Sequence, residues 1–362
     1  MSLLLKIAGL GLVCAAAGWI DYPDRFWASA LLAGFYALTL SLGAMVFLAI
    51  QELVDSRWSR PFQRVSEALA SGLWIGIALT ALAVAFGGPS LYGWVHAPGG
   101  HAPHSQELWL SRPFQLLRLA AYAVAWLAFG GALLRAARRR RVGIDAGSGK
   151  GPAARLLVVF ALTFTAASMD WIMALEPHWF STIFGIYAFA GSFLSGIAAI
   201  GVMSAIERGT RGIDPEGLEE STHDLGKLLF AFSCFWAYIW FCQYLLIWYT
   251  NIPEETSFFI ARTAGGWGFL TALSVGLNWV VPFFALMTRA AKSNPKTLLR
   301  VGICVLFGHW VDLFVLIMPR FIERGPDLSG WEVGLFAGAV ALLGWVVEGK
   351  WERKEPEELC SD

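Results

Sequence analysis

Ten stretches of about 20 predominantly apolar residues run through this chain, each long enough to cross a ~30 Å hydrocarbon core as an α-helix. Approximately, they are Leu3–Ile20, Phe26–Ile50, Ala68–Phe86, Leu116–Leu134, Leu156–Leu175, Phe180–Ile206, Leu225–Trp248, Trp267–Met287, Leu298–Met318 and Trp331–Val347. In lipid no water pairs with exposed backbone groups, so segments of this kind satisfy their own N–H and C=O groups as helices. The expected fold is therefore an all-α polytopic membrane protein of about ten transmembrane helices. Composition agrees: 57% of residues are hydrophobic and 15% charged, against about 45–50% and about 25% in soluble domains. The first run has the outline of a signal peptide, with Lys6 ahead of Cys14, Ala15, Ala16 and Ala17. It lacks a cleavage context and leads straight into the next span, so it is read as a helix.

The 27 Lys+Arg balance 27 Asp+Glu, leaving no basic excess for a nucleic-acid partner. Position matters more than the total. With the amino terminus inside, all but six of the Lys and Arg residues fall in inside segments, the exceptions being Arg25, Arg112, Arg118, Arg262, Arg320 and Arg324. By the positive-inside rule both termini are expected in the cytoplasm. The cysteines, Cys14, Cys234, Cys242, Cys304 and Cys360, form no C-x-x-C or C-x-x-C-H spacing. Covalent haem, iron–sulfur and thiolate zinc sites all lack their ligand pattern.

Two loops stand out. The outside loop from Gly87 to Arg112 carries His96, His101 and His104 among glycines and prolines. With no neighbouring Cys or carboxylate pair it reads as a polar docking loop rather than a metal site. The inside run Ala136–Gly151, with Arg138–Arg141, reads as a linker whose arginines lie near anionic head groups.

Span five ends in Asp170 and Pro177, and span nine in Asp312 and Pro319, an acid preceding a proline by the same spacing. Both acids lie roughly 10 Å below the outer end of their helix. Four spans separate the copies, which suggests a parallel duplication. Spans 2–5 and 6–9 would form two four-helix bundles, flanked by spans 1 and 10. The chain divides accordingly at 1–25, 26–178, 179–322 and 323–362.

Ionisable groups at depth carry the functional information, because a charge in the bilayer is costly unless paired, neutral or solvated. His309 and Asp312 share a helix face at i, i+3. They read either as a proton-relay pair or as a structural hydrogen bond between bundles. Asp170, with Thr165 and Ser168 nearby, begins a line that Glu176 and His178 extend outward; the latter two also suit solvated loop positions. On the inner side Ser221 and Asp224 have capping-box-like spacing, and His223 and Asp224 suit proton collection. Tyr238, Gln243, Tyr244 and Asn278 are hydrogen-bonding groups within spans seven and eight, suited equally to joining helices. Arg118 either snorkels outward or pairs with Asp170. The many Trp near span ends suit interfacial belts.

The stretch Ser168-Met169-Asp170-Trp171-Ile172-Met173-Ala174-Leu175-Glu176-Pro177-His178-Trp179-Phe180-Ser181-Thr182-Ile183-Phe184-Gly185, with Ser221–Lys227, Phe232–Tyr249, Asn251–Glu255 and Gly308–Leu313, resembles a specific family. It is similar to the ActF-like integral membrane subunit of bacterial alternative complex III, within the NrfD/polysulfide-reductase-like membrane family. The matches and the span count extend over most of the chain from Phe26 to Val347. The resemblance implies a multi-pass subunit of a respiratory quinol:cytochrome c or electron-acceptor oxidoreductase in the bacterial cytoplasmic membrane. It implies an ActC-like paralogous membrane subunit, an iron–sulfur protein, c-type cytochrome subunits and a terminal oxidase as partners. Haems and iron–sulfur clusters would sit in those partners; this chain would hold no covalent cofactor, and menaquinol or ubiquinol is the quinol expected.

Three readings follow. In the first the chain is a non-redox, proton-conducting subunit, with Asp170, His309, Asp312, Glu176, His178, His223 and Asp224 as relay groups. In the second it binds quinol itself, Asp170 accepting a proton while His178 or Tyr187 contacts the head group. In the third it is a membrane anchor whose polar pairs fix packing.

Overall fold

The computed structural model describes residues 3–95, 108–143, 149–211, 218–322 and 325–351. The expected histidine loop, with His96, His101 and His104, lies outside the described residues, as does the middle of the arginine-rich linker. Among the described residues there are helices and connections and no strand. Ten helices are long and apolar enough to span a membrane: α1 (Leu3–Asp21), α2 (Pro23–Leu53), α3 (Arg60–Leu91), α4 (Arg112–Arg141), α5 (Lys150–Leu175), α6 (Phe184–Gly209), α7 (Glu219–Thr250), α8 (Gly265–Ala285), α9 (Pro295–Arg320) and α10 (Gly330–Lys350). The chain is an all-α polytopic membrane protein.

Several helices outrun their apolar windows. Hydropathy places the third span from Ala68, whereas α3 starts at Arg60. Its first turns, Arg60–Ser71, are amphipathic and bury Phe62 and Val65 while carrying polar groups outward. A sliding average cannot register such a segment.

α2 is the central post. Its apolar window is enclosed on every side, and it touches α3, α5, α6, α9 and α10. The sequence supplies the reason: Ala28, Ala33, Gly34, Ala37, Thr39, Ser41, Gly43, Ala44 and Ala49 are all buried. Small residues let neighbouring backbones approach from several directions. α6 holds the corresponding place beside α5, α7 and α9. The helix pairs α2–α3, α2–α5 and α4–α5 thus have counterparts four helices later in α6–α7, α6–α9 and α8–α9.

The two posts cross at Gly43 and Gly196. A Cβ on Gly43 would lie 2.2 Å from the Ser192 carbonyl oxygen, and one on Gly196 2.7 Å from Gly43 Cα. Ser192 Oγ donates to the Thr39 carbonyl across this contact (3.0 Å). The outermost helices pair with each other, α1 resting on α10 where Gly11 meets Gly338.

The repeated acid-to-proline signature has a structural counterpart. α5 and α9 each finish in a 3₁₀ turn, Met173–Leu175 and Met318–Arg320. α8 carries a π-turn over Gly276–Val280, just ahead of Pro282. Proline lacks the N–H that would continue the ladder and crowds the carbonyl four residues back, so the helix widens there.

Candidate functional site

Basic groups gather at one end of the bundle. There Arg140 donates to Glu52 (2.9 Å) and to Asp55, and Arg141 bonds to Glu67 at 3.2 Å with Arg138 3.7 Å away. The Glu52 and Glu67 side chains are nearly enclosed. Hydropathy reasoning passed over both because they sit at span ends beside many arginines. The Arg140 guanidinium bonded to Asp55 holds that carboxyl below its usual range.

Two further clusters of buried ionisable groups lie nearer the other end. The first is built on Asp170, at the close of α5. Arg118 of α4 grips it through two donors, Nε to Oδ2 at 2.7 Å and Nη2 to Oδ1 at 2.9 Å. Trp109 Nε1 donates to Oδ1 (3.0 Å) and the Tyr122 hydroxyl to Oδ2 (2.9 Å). Arg118 also lies 4.1 Å from the Trp109 ring centroid. Of the two sequence readings of Arg118, the structure takes the pair. Four donors on two oxygens meet the carboxylate's hydrogen-bonding capacity, and the forked guanidinium supplies a counter-charge in bidentate geometry.

The second cluster is built on α9. Asp312 accepts from the Tyr187 hydroxyl of α6 and from Ser274 Oγ of α8 at 3.3 Å, and the Trp236 side chain of α7 stands near the same carboxyl. Among the described residues no cation forms an ion pair with it. Ser274 is itself held by Asn278 of the π-turn, whose Nδ2 donates to the Ser274 carbonyl at 3.0 Å.

One turn back, His309 faces α2. Its Nε2 lies 2.9 Å from Thr39 Oγ1, which itself donates to the Tyr36 carbonyl at 2.9 Å. That hydroxyl has one hydrogen, so the ring N–H is the donor to Thr39 and Nδ1 is the free position of the neutral imidazole. The Tyr36 ring stands beside the imidazole, centroids 5.5 Å apart. His309 and Asp312 form no direct hydrogen bond in the structure; Trp236 and His309 both approach Gly191. A Cβ placed on Gly191 would touch His309 Nδ1 at 3.4 Å and Trp236 Nε1 at 3.7 Å.

From Asp312 a cavity of about 20 Å³ leads away from the basic end, lined in part by Tyr187, Gln243, Arg262, Thr271 and Ser274. Its far wall is the short helix Pro253–Thr263, which apolar windows did not single out. Phe258 of that helix is sandwiched, with Trp179 stacked at 3.7 Å on one side and the Arg262 guanidinium 3.5 Å away. Arg262 donates to the carbonyls of Phe258 (3.0 Å) and Leu316 (2.8 Å). Its Nη2 stands 3.7 Å from Glu176, which also lies 3.9 Å from Arg320. Burial draws the Arg262 guanidinium down to about 10, with Glu176 opposing, so the group is charged at neutral pH.

The sequence-derived candidates therefore separate. Tyr187 and Asp312 are bonded, His309 stands one turn back on the same helix facing Thr39, and Glu176 is tied to the Asp312 cavity through Arg262. Asp170 belongs to its own cluster, Tyr187 serves Asp312 rather than Asp170, and His178 is exposed. His223 and Asp224 stand at the basic end, where Asp224 pairs with Lys227; from His223 to Trp236 α7 rises roughly 20 Å. Gln243 and Asn278 are buried, whereas Tyr238 faces outward. Arg262 escaped the sequence reading, although it is one of only six basic residues outside the inside segments. Like Glu52 and Glu67, the acid Glu332 was also missed; it takes Arg25 and Ser29 as donors at the join of α2 and α10. Among the described residues no three His, Cys, Asp or Glu side chains converge to hold a metal ion.

No model of a known protein family matches the chain, and no curated protein matches it.

Proposed function

We propose that this chain is an integral membrane subunit of a quinol-oxidising respiratory complex, of the kind its sequence resembles in alternative complex III, and that it provides a proton pathway coupled to quinol oxidation. His309 and Asp312 are the relay groups of this reading. Partner subunits, an iron–sulfur protein, c-type cytochromes and an ActC-like paralogue, carry the electrons. The membrane is the bacterial cytoplasmic membrane, with the basic end of the bundle inside and both termini on that side.

One observation carries the reading: the Asp312 carboxyl is enclosed by neutral donors and borders a cavity that Arg262 also lines, with Glu176 3.7 Å from that guanidinium. A carboxyl held by hydroxyl groups, with no cation paired to it, exchanges a proton without breaking an ion pair. His309, its ring turned toward Thr39, supplies a second group that both accepts and donates. Asp170 takes the opposite part in this reading. Arg118 is built against it as a counter-charge, so the pair holds α4 to α5.

The test is the proton-to-electron ratio of the complex reconstituted in vesicles. Asp312→Asn and His309→Leu are expected to abolish the protons moved in excess of those that quinol oxidation itself releases, while partner haems are still reduced by quinol. An unchanged ratio in both variants overturns the relay and leaves the chain an anchor.

A further inference from the structure

The cavity beside Asp312 contains an unanswered polar demand. Gln243 and Arg262 both line it and are 4% and 3% exposed. Among the described residues, Gln243 Nε2 and Arg262 Nε each lack a hydrogen-bond partner. A buried donor left unmade costs about 1–3 kcal/mol, and more when it belongs to a charged group. Two such donors on one small cavity call for an acceptor between them. The available space is about 20 Å³, and a single water needs roughly 10–15 Å³ together with two to four polar partners. The wall supplies those partners: two donors in Gln243 and Arg262, and an acceptor in the Asp312 carboxyl. Phe258, Phe259 and Trp240 close the remaining sides.

We propose that one ordered water occupies this cavity, accepting from Gln243 Nε2 and Arg262 Nε and donating to Asp312. Its part as a proton carrier rests on the relay reading above; its presence does not. For Asp312 to pass its proton on, the water first releases the Gln243 donor and frees a lone pair; as the new O–H bond forms, one of the water's own O–H bonds breaks, that proton goes outward to Glu176, and the water is restored. Arg262 keeps an excess proton from resting on the oxygen, and its ion-pair partner Glu176, 3.7 Å from its Nη2, is the acceptor beyond. Gln243 is a positioning residue that holds the oxygen at the carboxyl.

Two measurements on the full chain in lipid nanodiscs decide the matter. A density map that resolves waters is expected to show one peak within hydrogen-bond distance of both donors. An empty cavity, or one filled by side-chain carbon, overturns the proposal. In radiolytic hydroxyl labelling, an ordered water marks the side chains it touches. Tyr187, although buried, is expected to label as fast as exposed Tyr249, and Gln243→Leu is expected to slow Tyr187 at least tenfold with Tyr249 unchanged. Absent Tyr187 labelling, or labelling indifferent to Gln243→Leu, also overturns it. A proton-to-electron ratio that ignores Asp312→Asn while the water peak persists sinks the relay and leaves the water standing.

Discussion

Asp170 and Asp312 occupy matching places, each near the close of a helix that ends in a 3₁₀ turn and each bonded to a tyrosine hydroxyl. Around them the chain made opposite choices. At Asp170 a forked arginine neutralises the carboxylate. At Asp312 only uncharged donors approach, and the nearest buried cation, Arg262, stands across a cavity with its own glutamate. The lesson is that an acid's depth in the membrane does not decide its task. Whether a fixed positive charge has been built against it does.

The largest effect expected from breaking this comparison is on stability at Asp170. Arg118→Met leaves a carboxylate buried without its counter-charge, a loss of about 3–5 kcal/mol. Unfolding in mixed micelles reads the loss, and adding Asp170→Leu to the same chain is expected to restore most of it. Asp312→Asn, which keeps the shape and an acceptor, is expected to cost no more than about 1.7 kcal/mol by the same measurement. Equal costs for Arg118→Met and Asp312→Asn would erase the distinction.

A smaller effect separates the two tyrosines. Tyr187→Phe removes a major donor to Asp312, worth about 0.6–1.7 kcal/mol in a membrane setting. Tyr122→Phe is expected to cost less, because Arg118 and Trp109 still serve both oxygens of Asp170. A larger loss at Tyr122 than at Tyr187 would reverse the ranking.

The smallest effect uses a solvent-facing ion pair as the reference for the buried one. Asp55 is held below its ordinary value of 3.8 by its hydrogen bond from Arg140. A carboxyl depressed in the folded state contributes stability that is fully present above the unfolded value and fades as pH falls through the folded one. Melting curves taken downward from pH ~4 are therefore expected to drop slightly more steeply for the native chain than for Asp55→Asn. Parallel curves would show that this exposed pair adds nothing, in keeping with the small worth of most surface pairs.

The helices were legible because the bilayer imposes one length and one hydrogen-bonding rule on every crossing segment. The depth of Asp170, His309 and Asp312 was legible for the same reason. The partners were not. Arg118 reads equally well as an outward anchor, and only the packing of α4 on α5 decides that it turns to Asp170. Likewise the i, i+3 spacing puts His309 and Asp312 on one face, yet α2 draws the imidazole and α6 and α8 draw the carboxyl, so the two do not bond. Gln243 was visible as a polar residue in a span. Its unmet donor became visible only when Arg262, from a helix outside the apolar windows, closed the same cavity.

The clasp between α1 and α10 also orders how such a chain is completed. α1 is synthesised well before α10 and keeps most of its apolar window exposed, resting chiefly on α10. It therefore waits in lipid with little to hold it until α10 arrives. Only then do Gly11 and Gly338 meet and Arg25 reach Glu332. Truncation by the ribosome anywhere before α10 would leave the opening helix adrift, a state that membrane quality control could recognise by its unclaimed glycine face.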